Sequence, residues 1–136
     1  MSKPFELPVR VYYEDTDAQG VVYYANYFRF LERARTEWLR SLGVDMLRLQ
    51  EEERRIFVVA EVNVKFLAPA RLNEDLLVTA GLVDSTRVAF DIEQKIYRNN
   101  TDGDLLISGI VKAAFLDADS MRPKRLPPSL FEGMTS

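Results

Sequence analysis

The 136-residue sequence contains neither cysteine nor histidine. Without cysteine, the chain can form no disulfide framework, no cysteine-ligated zinc site and no thiol nucleophile. Without histidine, catalytic triads and dyads built on imidazole are excluded, and so are histidine-ligated metals. Acid–base or nucleophilic chemistry must therefore come from carboxylates, tyrosine, lysine, serine or threonine.

Other features are scarce, and each scarcity argues against a class of function. The 18 basic and 21 acidic residues give a net charge of −3, which disfavours binding nucleic acid through bulk positive charge. No apolar run approaches the roughly 18 residues of a membrane span. No signal peptide is recognisable, because Glu6 and Pro8 interrupt the first residues. We therefore expect a cytoplasmic protein with no transmembrane segment and no nucleic-acid partner.

The composition is otherwise that of an ordinary folded protein, with 47% apolar and 29% charged residues. A prior of roughly 150 residues per domain predicts a single domain over residues 1–136. A domain of this size buries about two-thirds of the surface of its unfolded chain, so it can build a core without staples. No loop has the spacing of a calcium-binding EF-hand, and we expect no metal site.

Periodicity in the first third of the chain predicts a strand followed by a long helix. The segment Val9–Glu14 is short and rich in β-branched and aromatic residues, which is typical of a strand. From Tyr23 to about Leu42, apolar residues recur at helical spacing, and Gly43 follows where a helix-terminating glycine is expected. The helix would be about 30 Å long, and its broad apolar side suggests that a sheet wraps around it.

The rest of the sequence predicts a short helix over Asp45–Arg55 and then four strands. These strands span Ile56–Leu67, Asp75–Val83, Arg87–Tyr97 and Leu105–Leu116. The last two are joined by a hairpin loop, Asn99–Gly103, which contains an Asp-Gly turn signal. From about Asp117 onward, three prolines predict an irregular tail.

This order, one strand, one long helix and four strands in an antiparallel meander, indicates the α+β class. The helix is expected to pack on one face of a single curled sheet. Hot-dog, cystatin-like and START-like arrangements all fit this description, so the pattern by itself leaves the choice among them open.

The densest cluster of unusual residues precedes the long helix. Glu14, Asp15 and Asp17 lie just before its N-terminus, where free backbone N–H groups and a partial positive charge are expected. A carboxylate there can act as nucleophile or general base while the N–H groups stabilise an oxyanion. The alternative is structural, because Asp15, Thr16 and Asp17 are also typical turn and helix-cap residues.

This segment also resembles the signature of a known family. It reads Asp15-Thr16-Asp17-x-x-Gly20-Val21-Val22-Tyr23-x-x-Asn26-Tyr27, and it is followed by Glu32-x-Ala34-Arg35. Further matches are Pro8-Val9-Arg10-Val11-Tyr12-Tyr13-Glu14, Phe66-x-Ala68-Pro69-Ala70-Arg71-Leu72 and Pro123-x-Arg125-Leu126-Pro127. The sequence is similar to the 4-hydroxybenzoyl-CoA thioesterase-like hot-dog family, above all to its branch of acyl-CoA thioesterases associated with the bacterial Tol–Pal system. The resemblance implies a hot-dog fold, a long central helix wrapped by a five-stranded antiparallel sheet.

The resemblance implies hydrolysis of an acyl-CoA thioester to a free acid and CoA, or of an acyl carrier protein thioester. The family's essential carboxylate falls on Asp17, as nucleophile or general base. Its backbone oxyanion donor falls on the N–H of Tyr24, and Gly20 shapes the turn between them. The Tol–Pal-associated branch commonly has histidine at the position of Tyr24, so a role for an imidazole does not carry over to this chain.

Further residues are assigned to substrate binding around this centre. They are Tyr13, Gly20, Val22, Asn26, Arg71 and Arg125, the two arginines being candidates for the CoA phosphates. CoA is part of the substrate, and the family needs no cofactor or metal. Family members pair into dimers with a continuous sheet, which implies a homodimer, then a homotetramer, with the active site at the dimer interface.

A non-catalytic reading remains open beside the enzymatic one. In this alternative, the chain is an acyl-CoA or acyl carrier protein binding subunit of lipid or envelope complexes. The presence of Tyr24 where relatives carry histidine is the feature that favours it.

Overall fold

The computed structural model describes residues 3–132, and two helices and five strands are found in that range. The helices are α1 (Tyr24–Ser41) and α2 (Met46–Glu52). The strands are β1 (Phe5–Arg10), β2 (Arg55–Phe66), β3 (Asp75–Ser85), β4 (Ala89–Arg98) and β5 (Leu105–Asp117). The strands form one antiparallel sheet in the order β1–β3–β4–β5–β2, and α1 packs against one face of it.

The long helix α1 matches its predicted limits because both its stripe and its stop signal are strong. Its buried residues recur every three or four positions and are Tyr27, Phe30, Leu31, Ala34, Trp38 and Leu39. At the C-terminus Gly43 adopts φ +94°. The N–H of Gly43 donates to the carbonyl of Arg40 and the N–H of Val44 to that of Leu39, at 3.0 and 3.1 Å. This pair of bonds is a Schellman motif, which satisfies carbonyls that the helix end leaves free.

The predicted four-strand meander is wrong in one respect. Only β3, β4 and β5 follow one another as a meander, whereas β2 pairs with β5 at the far edge and β1 pairs with β3. Residues 67–74 carry the chain from one edge of the sheet toward the other. Alternation along a strand reports which face is buried but carries no information about which strand lies beside it. Strand β2 therefore has a free edge in the described chain.

The first strand was expected over Val9–Glu14, and this placement is wrong. Strand β1 begins and ends earlier, and residues Tyr13–Asp15 instead form a turn of 3-10 helix. The Asp15 carboxylate draws the chain into this turn by accepting a hydrogen bond from the Tyr12 N–H at 2.8 Å. β1 is an edge strand and contains Pro8, which lies opposite Leu77 of β3. Proline is tolerated there because an edge strand need not donate on its outer side.

The remaining predicted elements are found with small shifts at their ends. Helix α2 is shorter than Asp45–Arg55, and Asp45 caps it by accepting from the N–H of Arg48 at 3.1 Å. The Asn99–Gly103 loop joins β4 to β5 as expected. The tail is irregular but packed, since Leu126 is buried and Phe131 stacks on Trp38 with 5.8 Å between ring centroids.

A buried glutamine joins the helix to the sheet within an otherwise apolar core. Gln94 of β4 is 0% exposed, and its Nε2 donates to the carbonyl of Leu31 in α1 at 3.0 Å and to that of Thr79 in β3 at 3.3 Å. Its Oε1 accepts from Nη1 of Arg35 at 3.0 Å. Buried amides are costly unless bonded, so these three bonds define how α1 sits on the sheet.

We expect Gln94→Met to lower the free energy of unfolding by about 1–3 kcal/mol, because it keeps the side-chain volume but removes all three bonds. Urea unfolding followed by circular dichroism measures this change. Glu93→Gln, at the adjacent exposed position, is the matched control and should leave stability unchanged. Equal stability of Gln94→Met and the wild type would contradict the role given to this side chain.

Candidate active site

The loop before α1, here named the acidic loop (residues 15–22), is a small hairpin. Thr16 and Val22 are bridged, and the N–H of Asp17 donates to the carbonyl of Val21 at 2.9 Å. Residues 17–20 make the turn, closed by the N–H of Gly20 donating to the carbonyl of Asp17 at 3.0 Å. Aspartate suits the first position of such a turn and glycine the last. Gly20 adopts φ +78°, a conformation that L side chains rarely adopt.

Asp15 is the structural carboxylate of this loop. It is 9% exposed, and its side chain accepts from the Tyr12 N–H. Its backbone carbonyl accepts from the N–H of Tyr23 and from Nδ2 of Asn26, both at 3.0 Å. Asp15 thus ties the strand end, the acidic loop and the start of α1 together, and Asn26 acts by holding this loop in place.

Asp17, by contrast, presents its carboxylate to solvent. Its Oδ1 accepts from the N–H of Gln19 at 2.8 Å, which orients the side chain. Within residues 3–132 its Oδ2 has no hydrogen-bond partner. One oxygen is therefore anchored while the other is available to a ligand, so the turn role of this residue does not exclude a chemical one.

The N-terminus of α1 lies directly after the acidic loop. Its N-cap residue, Tyr23, makes no side-chain capping bond, and the N–H of Tyr24 finds no acceptor in the part of the chain that the structure describes. A helix start with free N–H groups carries a partial positive charge. The Tyr24 ring is 60% exposed and lies 4.9 Å from that of Tyr23, centroid to centroid.

A second segment, residues 68–72, holds the acidic loop and the start of α1 in place by hydrogen bonds. The carbonyl of Ala70 accepts from the N–H of Val22 at 2.8 Å, and the N–H of Ala70 donates to the hydroxyl of Tyr27 at 2.9 Å. Burial raises the pKa of Tyr27, so its hydroxyl stays neutral and can accept this bond. The Leu72 N–H donates to the Gly20 carbonyl at 3.3 Å. The loop and the start of α1 are therefore set by backbone geometry.

The structure brings several predicted site residues together around this loop. Gly20 belongs to the loop, Asn26 donates to its Asp15 carbonyl, and the backbone of Arg71 bridges its Val21. Tyr13 is 83% exposed beside it, rather than packed in a strand. The side chain of Val22 is buried in the core beneath the loop and does not face solvent.

Arg125 is not brought to the acidic loop of its own chain. It lies at the opposite end of α1, where neighbouring Leu126 packs with Trp38 and Leu39. There it lines a cavity of about 540 Å³ together with Arg87, Thr86 and Ser85, which we name the arginine cleft. Neither arginine forms an ion pair within residues 3–132. Arg87 could not be predicted from the sequence, because its proximity to Arg125 depends on the Arg87 carbonyl accepting from the Leu126 N–H at 2.7 Å.

Exposed aromatic side chains extend the surface beside the start of α1. Phe66, at the end of β2, is 49% exposed and lies 5.9 Å from Tyr27 and 6.3 Å from Phe28 between ring centroids. The alternating pattern of this strand predicted only that Phe66 is one of its apolar positions. Its exposure follows from β2 being an edge, which the pattern did not predict.

The arrangement suits reactions in which a carboxylate acts beside a carbonyl that becomes negatively charged. A free carboxylate oxygen such as that of Asp17 can act as nucleophile or base, and a free backbone N–H such as that of Tyr24 can donate to an oxyanion. Residues 3–132 contain no group of three or more acidic side chains positioned to hold a metal ion. No helix in the same range combines the length and hydropathy needed to cross a bilayer.

Comparison with known proteins gives the chain clear relatives. Residues 11–133 match the family model of the Thioesterase-like superfamily. The acyl-CoA thioesterase YbgC of Haemophilus influenzae is 41% identical over 123 residues, which cover 90% of this chain and 88% of that protein.

Solved structures show the same hot-dog architecture. A 1,4-dihydroxy-2-naphthoyl-CoA thioesterase from Synechocystis superposes with a TM-score of 0.87 at 20% identity, covering 98% of this chain and 99% of that one. A 4-hydroxybenzoyl CoA thioesterase mutant, complexed with 4-hydroxybenzoyl CoA, gives 0.86 at 19% identity, covering 98% and 100%. The hot-dog fold expected from the sequence resemblance is confirmed.

Loss of charge at the two aspartates of the acidic loop should affect the free energy of unfolding to different extents. We expect Asp15→Asn to lower the free energy of unfolding by about 1 kcal/mol, since a buried charge-assisted hydrogen bond is weakened. Asp17→Asn should stay within about 0.5 kcal/mol of the wild type, because that side chain is exposed. Urea unfolding of both variants checks this; a larger loss for Asp17→Asn would reverse the assignment.

Proposed function

Because this chain belongs to the Thioesterase-like superfamily, we propose that it is an enzyme that hydrolyses acyl-CoA thioesters to a free acid and CoA. The 41% identity to an acyl-CoA thioesterase over nine-tenths of the chain supports this substrate class. The observation that carries the proposal is the presence of two free polar groups in the short segment 17–24 that leads into α1. They are Oδ2 of Asp17 and the N–H of Tyr24.

Asp17 starts the reaction at the thioester carbonyl in one of two ways. As nucleophile, its oxygen bonds to the carbonyl carbon, the carbon–sulfur bond breaks, CoA leaves as a thiolate and water later hydrolyses the anhydride. As general base, it takes a proton from water as the water oxygen bonds to the carbonyl carbon; the carbon–sulfur bond then breaks, which releases the free acid and CoA. In both routes negative charge grows on the carbonyl oxygen, where the Tyr24 N–H donates a hydrogen bond.

The tyrosine at position 24 is compatible with this mechanism because the donor is a backbone group. Any residue other than proline supplies that N–H. The exposed rings of Tyr23 and Tyr24 then offer apolar surface beside the reacting carbonyl. A change of the residue 24 side chain from imidazole to phenol acts on acyl preference more than on carbonyl activation.

The proposed enzyme works as a homodimer joined through β2. The outer edge of β2 has no neighbour in the described chain, and Val59, Val62 and Phe66 are exposed along it. A second copy pairing antiparallel with this edge about a two-fold axis covers these side chains and continues the sheet. The two α1 helices then lie on the same face and run antiparallel. Further pairing of dimers gives the homotetramer that the family resemblance implies.

The dimer supplies the phosphate site that one chain lacks near Asp17. Because the paired helices are antiparallel, the end of α1 that carries the acidic loop lies near the other protomer's arginine cleft. Arg87 and Arg125 are free of ion pairs and line a roomy cavity with two hydroxyl side chains, which suits phosphate groups. CoA would thus span both protomers, with Arg71 the nearest cation on the chain that holds the thioester.

A second candidate function keeps the binding but drops the chemistry. Here the chain is a subunit that binds acyl-CoA or an acyl carrier protein for lipid or envelope complexes. The absence of an imidazole at position 24 favours it. Thioester binding without turnover by the wild type, on both CoA and carrier-protein substrates, distinguishes it from the enzyme.

Asp17→Asn should abolish most thioester hydrolysis while leaving the fold intact. We expect free-thiol release from a panel of short, long and aromatic acyl-CoAs to fall several hundredfold. This corresponds to about 3.5 kcal/mol of lost transition-state stabilisation. The measurement is the steady-state rate of thiol release by wild type and variant in parallel.

Glu14→Gln is the matched control for this change, because Glu14 is an exposed carboxylate in the same stretch of chain. It should keep wild-type activity. Equal activity of Asp17→Asn and the wild type would remove Asp17 from the mechanism.

Arg87→Ala and Arg125→Ala should each raise KM for acyl-CoA about tenfold with kcat unchanged, because the phosphates are bound equally before and during reaction. With acyl-pantetheine thioesters, which lack the nucleotide, neither variant should differ from the wild type. Arg122→Ala, an exposed cation in the same tail, serves as the control. A loss of kcat on both substrate types would show that the cleft acts structurally instead.

A further inference from the structure

Arg35, on α1, is a partly buried cation that forms no ion pair within residues 3–132. Its Nη1 donates to the neutral amide oxygen of Gln94 at 3.0 Å, and no carboxylate of residues 3–132 lies within ion-pair distance of it. Burial lowers the pKa of Arg35, and the charge of nearby Glu32 opposes this shift. A guanidinium remains charged at neutral pH and needs several acceptors. Apart from the bond to Gln94, its donors make no hydrogen bond within residues 3–132, so they can bind an acceptor from outside the chain.

Glu32, one turn earlier on α1, is exposed and also unpaired in the described part of the chain. The two residues have the spacing of a helical ion pair, yet they do not form one. On the same helix, Glu37 and Arg40 at identical spacing do pair, with 3.7 Å between nitrogen and oxygen. Glu32 and Arg35 thus present separate charges of opposite sign.

Both charged side chains lie on the side of α1 that faces β2. With Thr36 they line a cavity of about 200 Å³ whose other wall includes Val58 and Val59 of β2. The residues of β2 that follow, Val59 to Asn63, are exposed. The helix face and the unpaired strand edge therefore form one continuous surface.

We propose that, in the dimer described above, Glu32 of each protomer forms an ion pair with Arg35 of the partner subunit. An acid and a base three residues apart become self-complementary when two helices meet antiparallel about a two-fold axis, because each charge then faces its opposite. The same axis pairs the β2 edges. The partner's carboxylate also supplies the acceptor that the partly buried guanidinium lacks.

This inference rests on the dimer described under the proposed function but not on thioester hydrolysis. It adds a reason for specificity, since apolar edge contacts alone would tolerate shifts in register. Reciprocal charge pairs penalise such shifts by placing like charges together. Helix α1 would thus set the alignment of the two protomers.

Charge reversal tests the proposal without any activity assay. Glu32→Arg gives a protomer with two positive charges at these positions, and Arg35→Glu one with two negative charges. Each variant alone should show a dimer dissociation constant raised on the order of 100-fold or more, by sedimentation velocity. Mixed together they should form a heterodimer within about tenfold of wild-type affinity, because every pair is then opposite in sign.

Two further variants keep the test decisive. The double swap Glu32→Arg/Arg35→Glu should dimerise with itself, and circular dichroism of Arg35→Glu checks that loss of the Gln94 contact has not unfolded the protomer. Glu37→Arg, whose carboxylate already pairs within its own helix, should leave dimerisation unchanged.

Several results would overturn the proposal. Wild-type dimer affinity in Glu32→Arg would do so, and so would failure of both the mixture and the double swap to dimerise when circular dichroism shows that Arg35→Glu is folded. A monomeric wild type would overturn it without touching hydrolysis. A charge-dependent dimer that releases no thiol from any substrate would uphold it while removing the proposed function.

Discussion

The amide of Gln94 is the contact on which the rest of this architecture depends. It holds a carbonyl of α1 and a carbonyl of β3 at the same time, so the depth and rotation of the helix on the sheet are set together. Apolar side chains alone define a layer but tolerate sliding within it, whereas a buried amide accepts few geometries. Once α1 is held, its N-terminus meets the acidic loop, and Glu32 and Arg35 face the β2 edge.

The candidate site inherits this order through backbone contacts. Two residues connect the loop to the helix start by hydrogen bonds. The carbonyl of Asp15 accepts from Tyr23 and Asn26, and the backbone N–H and carbonyl of Ala70 bond Tyr27 and Val22. Asp17 is at once a turn-former and the one residue of that turn with an unengaged carboxylate oxygen in the described chain. In the proposed mechanism, the fold therefore preorganises the reacting carboxylate and the oxyanion donor, which is the main requirement for electrostatic catalysis.

Strong local signals explain why much of the fold was predictable. The stripe of α1 and Gly43 as its terminator have local causes, and so does the acidic turn. The misses have non-local causes. The residues before Asp15 are not in the predicted strand because the Asp15 side chain bonds their backbone. The position of β2 at the far edge was not predicted because alternation does not specify which strands are neighbours. Gln94 read as an ordinary polar strand position, and Arg87 meets Arg125 only through the packed tail.

The two edges of the sheet differ in how readily a further strand can pair with them. β2 is a long strand with an open side, while β1 is short and contains Pro8, which has no N–H to offer. Addition of a second copy at β2 leaves only β1 edges at the two outer ends. Such ends resist further strand addition, so the proposed dimer is guarded against open-ended polymerisation into fibrils.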